Sequence, residues 1–177
     1  MSRTLTAHQP NYLPWLGLFH KVGQGDVWVM ADDVQYTKHG LCNRNRIRTA
    51  EGWQWLTVPV LTRGRGRQQI SEVEIEAAGP WRFKHWQALQ WNYGTATYYE
   101  EHAGFLEEFY RRDWRLLAEV NIALCRYLLE QFGIEVEVRR SSELELREER
   151  SLRIVDMTRQ CGCDAYLAGS GGSKEYL

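Results

Sequence analysis

Apolar and polar positions in the first third of the chain predict two buried strands joined by a short helix. Residues 5–7 form the end of an apolar strand, and residues 16–23 have the apolar spacing of an amphipathic helix. The following run "DVWVMADD" is almost continuously apolar until two acids stop it. Such a run is typical of a strand covered on both faces, as in parallel α/β sheets. Strand, helix and strand within about thirty residues predict a βαβ unit.

The middle of the chain has a different pattern. The segment "WQWLTVPVL" at residues 53–61 predicts a strand, and "RGRGRQQ" at residues 63–69 predicts a flexible basic loop. Apolar and polar residues alternate over residues 70–76, which predicts a further strand with one solvent-exposed face.

The second half of the chain is predominantly helical in its pattern. We predict helices over residues 81–93, 103–110, 113–132 and 151–162, and a strand over residues 134–144. A last strand, "CDAYLAG", leads into a glycine-rich loop. We therefore expect a single α/β domain over residues 1–177, with a mostly parallel sheet and a helical second half.

Composition narrows the classes of partner. The net charge of −1 gives no electrostatic reason to expect nucleic acid or an anionic membrane. No stretch approaches the length of a membrane span, and the N-terminus lacks the layout of a signal peptide. We expect a cytoplasmic protein whose four cysteines are free thiols. Cys161 and Cys163 are too closely spaced for a zinc site, so no metal site is expected.

The first candidate site is the octet "HQPNYLPW" that follows the first strand. Ligands of open α/β sheets bind at the carboxyl edge of the strands. His8 is therefore a candidate general base, general acid or phosphate contact. Gln9, Asn11, Tyr12 and Trp15 are candidate substrate-binding residues. The alternative is that His8 and Gln9 cap backbone groups in a tight turn between two prolines.

A second candidate follows the next strand. Asp32 and Asp33 are candidate catalytic carboxylates, and Gln35 is a candidate substrate ligand. Adjacent residues of an extended segment point to opposite faces, so the two acids do not form a dyad by spacing alone. One acid would bind a hydroxyl, an amine or Mg²⁺ while the other caps a turn. The alternative is a solvated junction between strand and loop.

The third candidate is the alternating segment "NRNRIR". Asn43 with Asn45 would bind a sugar or an amide, and Arg44 with Arg46 would bind phosphate or carboxylate. A solvated run of charges is the alternative. Near the end of the sequence, "GSGGSK" resembles a loop that cradles an anion, with Gly171, Gly172 and Lys174 as phosphate ligands. The segment lacks the spacing of a Walker A motif.

Several of these segments together resemble one known family. With "AHQPNYLPWLG", "DVWVMADDVQY", "NRNRI", "HWQALQWNY" and "CDAYLAGSGGSKEYL", the chain resembles the WbqC-like family of bacteria over essentially its whole length. The resemblance implies a cytoplasmic protein encoded among genes for O-antigen and other surface polysaccharides, including lipopolysaccharide. It also implies a C-terminal tail in full-length members, which we expect this chain to lack.

The order of strand, His/Pro loop, helix and strand is similar to that of the HIGH-signature nucleotidyltransferases and the pantothenate-synthetase-like ligases. That similarity implies a Rossmann-like sheet of the HUP type, with ATP and Mg²⁺ bound at the histidine loop. The HxGH pattern itself is missing, since His8 and His20 flank the loop and Gly17 is not followed by histidine.

These observations predict a transferase of O-antigen or surface-glycan precursor biosynthesis. It would transfer an acyl or aminoacyl group to an amino sugar, with a nucleotide sugar as the small-molecule substrate. Arg44 or Arg46 would hold the anionic part of the donor. One alternative is an ATP-binding nucleotidyltransferase or ligase. The other is a non-catalytic protein that binds a glycan on its tryptophan-rich surface or assembles a biosynthetic complex.

Overall fold

The computed structural model describes residues 2–169, which form two sheets and the helices that cover them. In this part of the chain the strands are β1 (Thr4–His8), β2 (Val27–Met30), β3 (Arg44–Thr49), β4 (Gly52–Thr57), β5 (Glu137–Arg140) and β6 (Ala165–Leu167). The α-helices are α1 (Leu16–Val22), α2 (Trp81–Tyr93), α3 (Tyr99–Arg111), α4 (Leu117–Gln131) and α5 (Arg150–Gln160).

The main sheet is parallel and has the spatial order β5-β2-β1-β6. The chain adds β2 and then β5 on one side of β1, and it returns to the other side of β1 with β6. The predicted βαβ unit is confirmed, because β1 and β2 pair in parallel and α1 connects them along the chain. The predicted α/β class with a mostly parallel sheet is confirmed as well.

Strand β2 is inaccessible to solvent along its whole length, because helices cover both faces of the sheet. Trp28 and Met30 pack in one cluster with Phe19 of α1 and Cys125 of α4. On the other face, Val27 and Val29 pack with Leu5 and with Met157 of α5. This two-sided burial explains why the strand is an unbroken apolar run rather than an alternating one.

The second sheet is the antiparallel hairpin of β3 and β4. Its apolar residues Ile47 and Leu56 belong to the largest buried cluster, which also includes residues of α2, α3 and α4. Since the hairpin contributes only these two buried residues to the cluster, it depends on the helices of the second half for its stability.

The strand predicted over residues 70–76 is wrong. The segment begins with a 3₁₀ turn, Ile70–Glu72, and continues with isolated bridges at Glu74 and Ile75. Glu72 explains the turn, because its carboxylate accepts from the backbone N–H of Gln69 at 3.0 Å. This reciprocal cap closes a helical turn that the alternating pattern alone does not predict.

The helix predicted over residues 81–93 is confirmed, whereas its neighbours have different bounds. Helix α3 begins four residues before the predicted residue 103, at Tyr99. Helix α4 begins only at Leu117, because the preceding Arg115 and Leu116 are extended and pair with Glu74 and Ile75. Among the described residues, no helix is long and apolar enough to cross a bilayer.

Candidate functional site

His8 ends β1 at the carboxyl edge of the parallel sheet. Its Nδ1 lies 2.8 Å from the carbonyl oxygen of Gln9, and its ring packs edge-on against Trp15 with centroids 5.2 Å apart. A carbonyl only accepts, so Nδ1 carries the proton and Nε2 of the neutral ring presents a lone pair. Within residues 2–169, no protein group hydrogen-bonds Nε2. His8 therefore has a free basic nitrogen at the edge where ligands bind.

Lys21 stands beside His8. Its Nζ donates to the carbonyl oxygen of Ala7 at 3.0 Å, and it lies 3.6 Å from the position that a Cβ would occupy on Gly169. The ammonium therefore lies between the carboxyl end of β1 and the segment that follows β6. We call this space the β1–β6 crevice. It is the point at which the strand order changes direction, because β2 and β6 lie on opposite sides of β1.

Burial lowers the pKa of His8, the hydrogen bond to Gln9 opposes part of this effect, and the positive charge of Lys21 adds a smaller lowering. Burial also lowers the pKa of Lys21. The imidazole is consequently neutral at physiological pH, in the form that accepts a proton. An ammonium has three donors, and Lys21 uses one of them on Ala7, so the crevice offers a base and a cation together.

The loop after His8 is held by buried amides from two distant elements. Asn121 of α4 donates to the carbonyl oxygen of Pro10 at 2.9 Å. Asn45 of β3 donates to the carbonyl oxygen of Leu13 at 2.6 Å. Leu13 has a φ of +45°, which is unfavourable for a residue with a branched side chain. The loop thus keeps a strained conformation because its neighbours fix it, as is common at functional sites.

Tyr12 points into the core and is fully buried. Its hydroxyl lies 2.8 Å from Nδ1 of His85 and 2.5 Å from the hydroxyl of Tyr110. His85 also donates to the backbone carbonyl of Thr57, so its Nδ1 accepts from Tyr12. These contacts anchor the loop to α2 and α3, and the Tyr12 side chain does not reach the crevice.

Gln9 and Asn11 contact a thiol rather than open space. The Sγ of Cys42 lies 3.5 Å from both Oε1 of Gln9 and Oδ1 of Asn11. Burial raises the pKa of Cys42 to about 11, so this cysteine stays protonated and has no nucleophilic character. Of the predicted octet residues, Asn11 and Tyr12 are buried, His8 and Gln9 are half-buried, and Trp15 is 43% exposed.

Asp32 and Asp33 are the centre of a polar network between β2 and β5. Asp32 has no exposed surface, and its Oδ2 accepts from Nε of Arg140 at 2.7 Å and from Oγ of Ser142 at 2.9 Å. Asp33 accepts from Ser141 and from Arg153. With these donors in place, both carboxylates hold the edge of the sheet together, and their catalytic role stays a prediction.

Arg44 and Arg46 lie on the hairpin, where their guanidinium groups stack on indole rings. Arg44 lies 4.4 Å from the ring centre of Trp55, and Arg46 lies 5.0 Å from that of Trp53. Asn45 between them points to the other face, toward the octet loop. The two arginines thus face away from the contact with that loop. Their role in donor binding stays a prediction.

The remaining predicted residues are dispersed. Asn43 is buried and donates to the carbonyl oxygen of Val58 at 3.0 Å. Gln35 lies in the wall of a separate cavity beyond the end of β2. Gly171, Gly172 and Lys174 lie outside the described residues. In residues 2–169, no three His, Cys, Asp or Glu side chains stand close enough together to hold a metal ion.

Lys21 is the residue that sequence reasoning missed. It lies within an amphipathic helix, where a lysine ordinarily indicates a solvated face. Only its position in the last turn of α1 places the ammonium over the carboxyl end of β1. The available signal was the crossover itself, since a helix that follows a short β1 loop passes back beside that strand.

The comparisons with known proteins identify relatives without a described activity. The profile of the WbqC-like protein family matches residues 9–177. An uncharacterized protein of Mycobacterium tuberculosis, Rv1507c, is 35% identical over 162 residues, which span 91% of this chain and 70% of that protein. No solved structure matches the chain.

Proposed function

The chain belongs to the WbqC-like protein family, and from that premise we propose that it is a transferase that uses His8 as its general base. It binds a phosphorylated small molecule in the β1–β6 crevice and transfers an acyl or aminoacyl group to the amine of an amino-sugar nucleotide. The product is a precursor of a surface glycan such as O-antigen. The observation that carries the proposal is the free Nε2 of a neutral His8 at the ligand edge of the sheet.

The proposed step uses two side chains. The acceptor amine attacks the acyl carbon of the donor, and a new nitrogen–carbon bond forms as the leaving group departs with its electron pair. The amine proton moves to Nε2 of His8, whose lowered pKa keeps it in the basic form. Lys21 holds the anionic part of the substrate through its remaining donors.

The strand order supports a nucleotide as the ligand. In doubly wound sheets, nucleotides bind where the strand order reverses, outside the carboxyl ends of the strands. The β1–β6 crevice lies at such a point in this sheet. We therefore propose a Rossmann-like fold of the HUP type. We also place the protein in the cytoplasm, where its four thiols stay reduced.

The second candidate function is an ATP-dependent nucleotidyltransferase or ligase. The observation that favours it is Lys21, which places a cation beside His8 at the carboxyl end of β1. In this version His8 and Lys21 both contact the phosphates of Mg-ATP. The two candidates share the crevice and differ in the ligand that occupies it.

Ligand-induced stabilisation separates these candidates. The wild type, Lys21→Gln, His8→Ala and the control His20→Ala are melted with a panel of nucleotide sugars and with Mg-ATP. His20 is an exposed histidine on α1, so its variant matches His8→Ala in composition. Ligand at a hundredfold excess over Kd contributes about 2.7 kcal/mol, which raises Tm by roughly 5–10 °C in a chain of this size.

We expect a nucleotide sugar to stabilise the wild type and His20→Ala, and to stabilise Lys21→Gln much less. His8→Ala should still bind but lose turnover with an acyl donor. Stabilisation by Mg-ATP alone would favour the ligase. If no nucleotide or nucleotide sugar raises Tm, the proposed ligand class is wrong.

A further inference from the structure

A small polar cavity of about 260 Å³ lies beyond the carboxyl end of β2. One wall is formed by the segment after β2, with Tyr36, Thr37 and Lys38, and the other by the basic loop, with Thr62 and Arg67. No residue of the β1–β6 crevice contributes to it. Since β2 and β6 flank β1 on opposite sides, this cavity is separate from the crevice.

Backbone hydrogen bonds fix the two walls against each other. Tyr36 N–H donates to the carbonyl oxygen of Gln68 at 2.9 Å, and Ile70 N–H donates to that of Val34 at 3.0 Å. Gly66, at the rim, has a φ of +61°, a conformation that glycine adopts without strain. The basic loop, which the sequence pattern predicts to be flexible, is therefore tethered at its C-terminal end.

The charges around the cavity are strongly one-sided. Residues 34–69 include seven Lys and Arg residues and a single acid, Glu51, in a chain whose net charge is −1. The wall itself carries two cations, Lys38 and Arg67, and no carboxylate. Among the described residues, neither cation forms an ion pair, whereas the neighbouring Arg65 pairs with Glu74 at 2.6 Å.

The size and the polar groups of the cavity indicate which chemical group it binds. Small-molecule pockets usually measure about 300–1,000 Å³, so about 260 Å³ holds one compact group and part of the molecule that carries it. Two cations match a phosphate monoester, which has a charge of about −1.5 to −2. A carboxylate would neutralise only one of them. The hydroxyl side chains of Thr37 and Thr62 add donors for further phosphate oxygens.

We propose that this cavity binds the phosphate group of a phosphorylated small molecule, through Lys38 and Arg67, at a site separate from the β1–β6 crevice. A second phosphate, where the ligand has one, extends toward Arg44. That arginine donates to the carbonyl oxygen of His39, the residue after Lys38, at 2.7 Å, and it is stacked on Trp55, so its position is fixed.

Isothermal titration with inorganic phosphate, pyrophosphate and succinate at about 150 mM salt tests the site. The variant Lys38→Gln/Arg67→Gln removes both cations of the wall. The control Arg63→Gln/Lys84→Gln removes the same charges from exposed positions that do not line the cavity. Lys21→Gln reports on the crevice, because Lys21 is the cation proposed to bind the anion there. The substituted lysines and arginines of the cavity wall and of the control are exposed, and circular dichroism and urea unfolding verify that each variant is folded.

We expect phosphate and pyrophosphate to bind the wild type, the control and Lys21→Gln alike, and to bind Lys38→Gln/Arg67→Gln at least about tenfold more weakly. Lys38→Gln alone should have an intermediate affinity. Equal weakening in the control, equal affinity for succinate, or absence of binding at about 10 mM phosphate would each overturn the proposal. Loss of binding in Lys21→Gln would also overturn it, by assigning the phosphate to the crevice. The crevice and the cavity are tested by different variants. The experiments can therefore reject this proposal without rejecting the proposed transferase function, and the reverse.

Discussion

Asn121 in α4 donates from Nδ2 to the carbonyl oxygen of Pro10 at 2.9 Å, across 111 residues of sequence. The same amide donates to the carbonyl oxygen of Cys42 at 2.8 Å. One buried side chain thus ties the octet loop, the entry to the hairpin and a core helix together. His8 owes its position to this tie, since Pro10 follows it by only two residues.

Replacing Asn121 with alanine should lower the free energy of unfolding by roughly 2–4 kcal/mol, because two buried carbonyl groups lose their donor. Urea unfolding monitored by tryptophan fluorescence measures this loss. Arg126→Ala, at an exposed position of the same helix, is the control and should change stability by less than about 0.5 kcal/mol. Equal stability of both variants would contradict the role assigned to Asn121.

The pair of Asp32 and Arg140 should be far more important for stability than a surface pair. Asp32→Ala removes the carboxylate that accepts from Arg140 and Ser142 in a largely buried network, and we expect a loss of about 3–5 kcal/mol. The exposed pair of Arg111 and Glu107 provides the comparison, and Glu107→Ala should cost less than about 1 kcal/mol. Similar losses in the two variants would show that the network does not hold the sheet edge.

His85 should make the protein sensitive to mild acid. Burial lowers its pKa from 6.5 to about 4, so between these values the unfolded state binds a proton that the folded state does not. This contribution is fully present above pH 6.5 and is lost as the pH falls toward 4. It amounts to about 3 kcal/mol. Urea unfolding from pH 7.5 to 4.5 measures the slope.

The slope should be shallower in His85→Gln, in which an amide oxygen can still accept from Tyr12. The exposed His20→Gln variant should keep the slope of the wild type. An unchanged slope in His85→Gln would mean that other groups cause the acid sensitivity.

The four cysteines should differ in their reactivity toward iodoacetamide. Burial raises the pKa of Cys42 to about 11 and that of Cys125 to about 12, and both thiols are shielded from solvent. Cys163 is only partly buried and should be alkylated first in the native protein at about pH 8. Mass spectrometry of the peptides gives the order. Rapid alkylation of Cys42 in the folded protein would contradict the shielding assigned to this thiol.

The sequence allowed the βαβ unit and the position of His8 to be predicted, because both depend on local patterns: an apolar run and a polar cluster that ends it. The inward orientation of Tyr12 was not predictable. Its partners His85 and Tyr110 are 73 and 98 residues away, and a tyrosine beside a histidine suggests a ligand as readily as a core contact.

The position of Lys21 was not predictable from the sequence either, because it also depends on a distant segment. Nothing in its neighbourhood distinguishes it from a solvated lysine, and its role follows from β6 pairing on the far side of β1. Likewise, the alternation over residues 70–76 correctly marks Ile70, Val73 and Ile75 as buried, although the segment is not a strand. The hydrophobic pattern of the sequence thus identified the residues that face the core. It could not identify which strands pair, because the partners are distant in the sequence.

The pairing of β1 with β6 has a consequence for the order of events on the ribosome. The β2 partner of β1 is synthesised about twenty residues after it, whereas its β6 partner, residues 165–167, is synthesised about 160 residues after it. At about 5–20 residues per second, one edge of β1 stays unpaired for roughly 8–30 s. The nascent chain therefore carries an open strand edge until β6 is made, and the β1–β6 crevice forms only then.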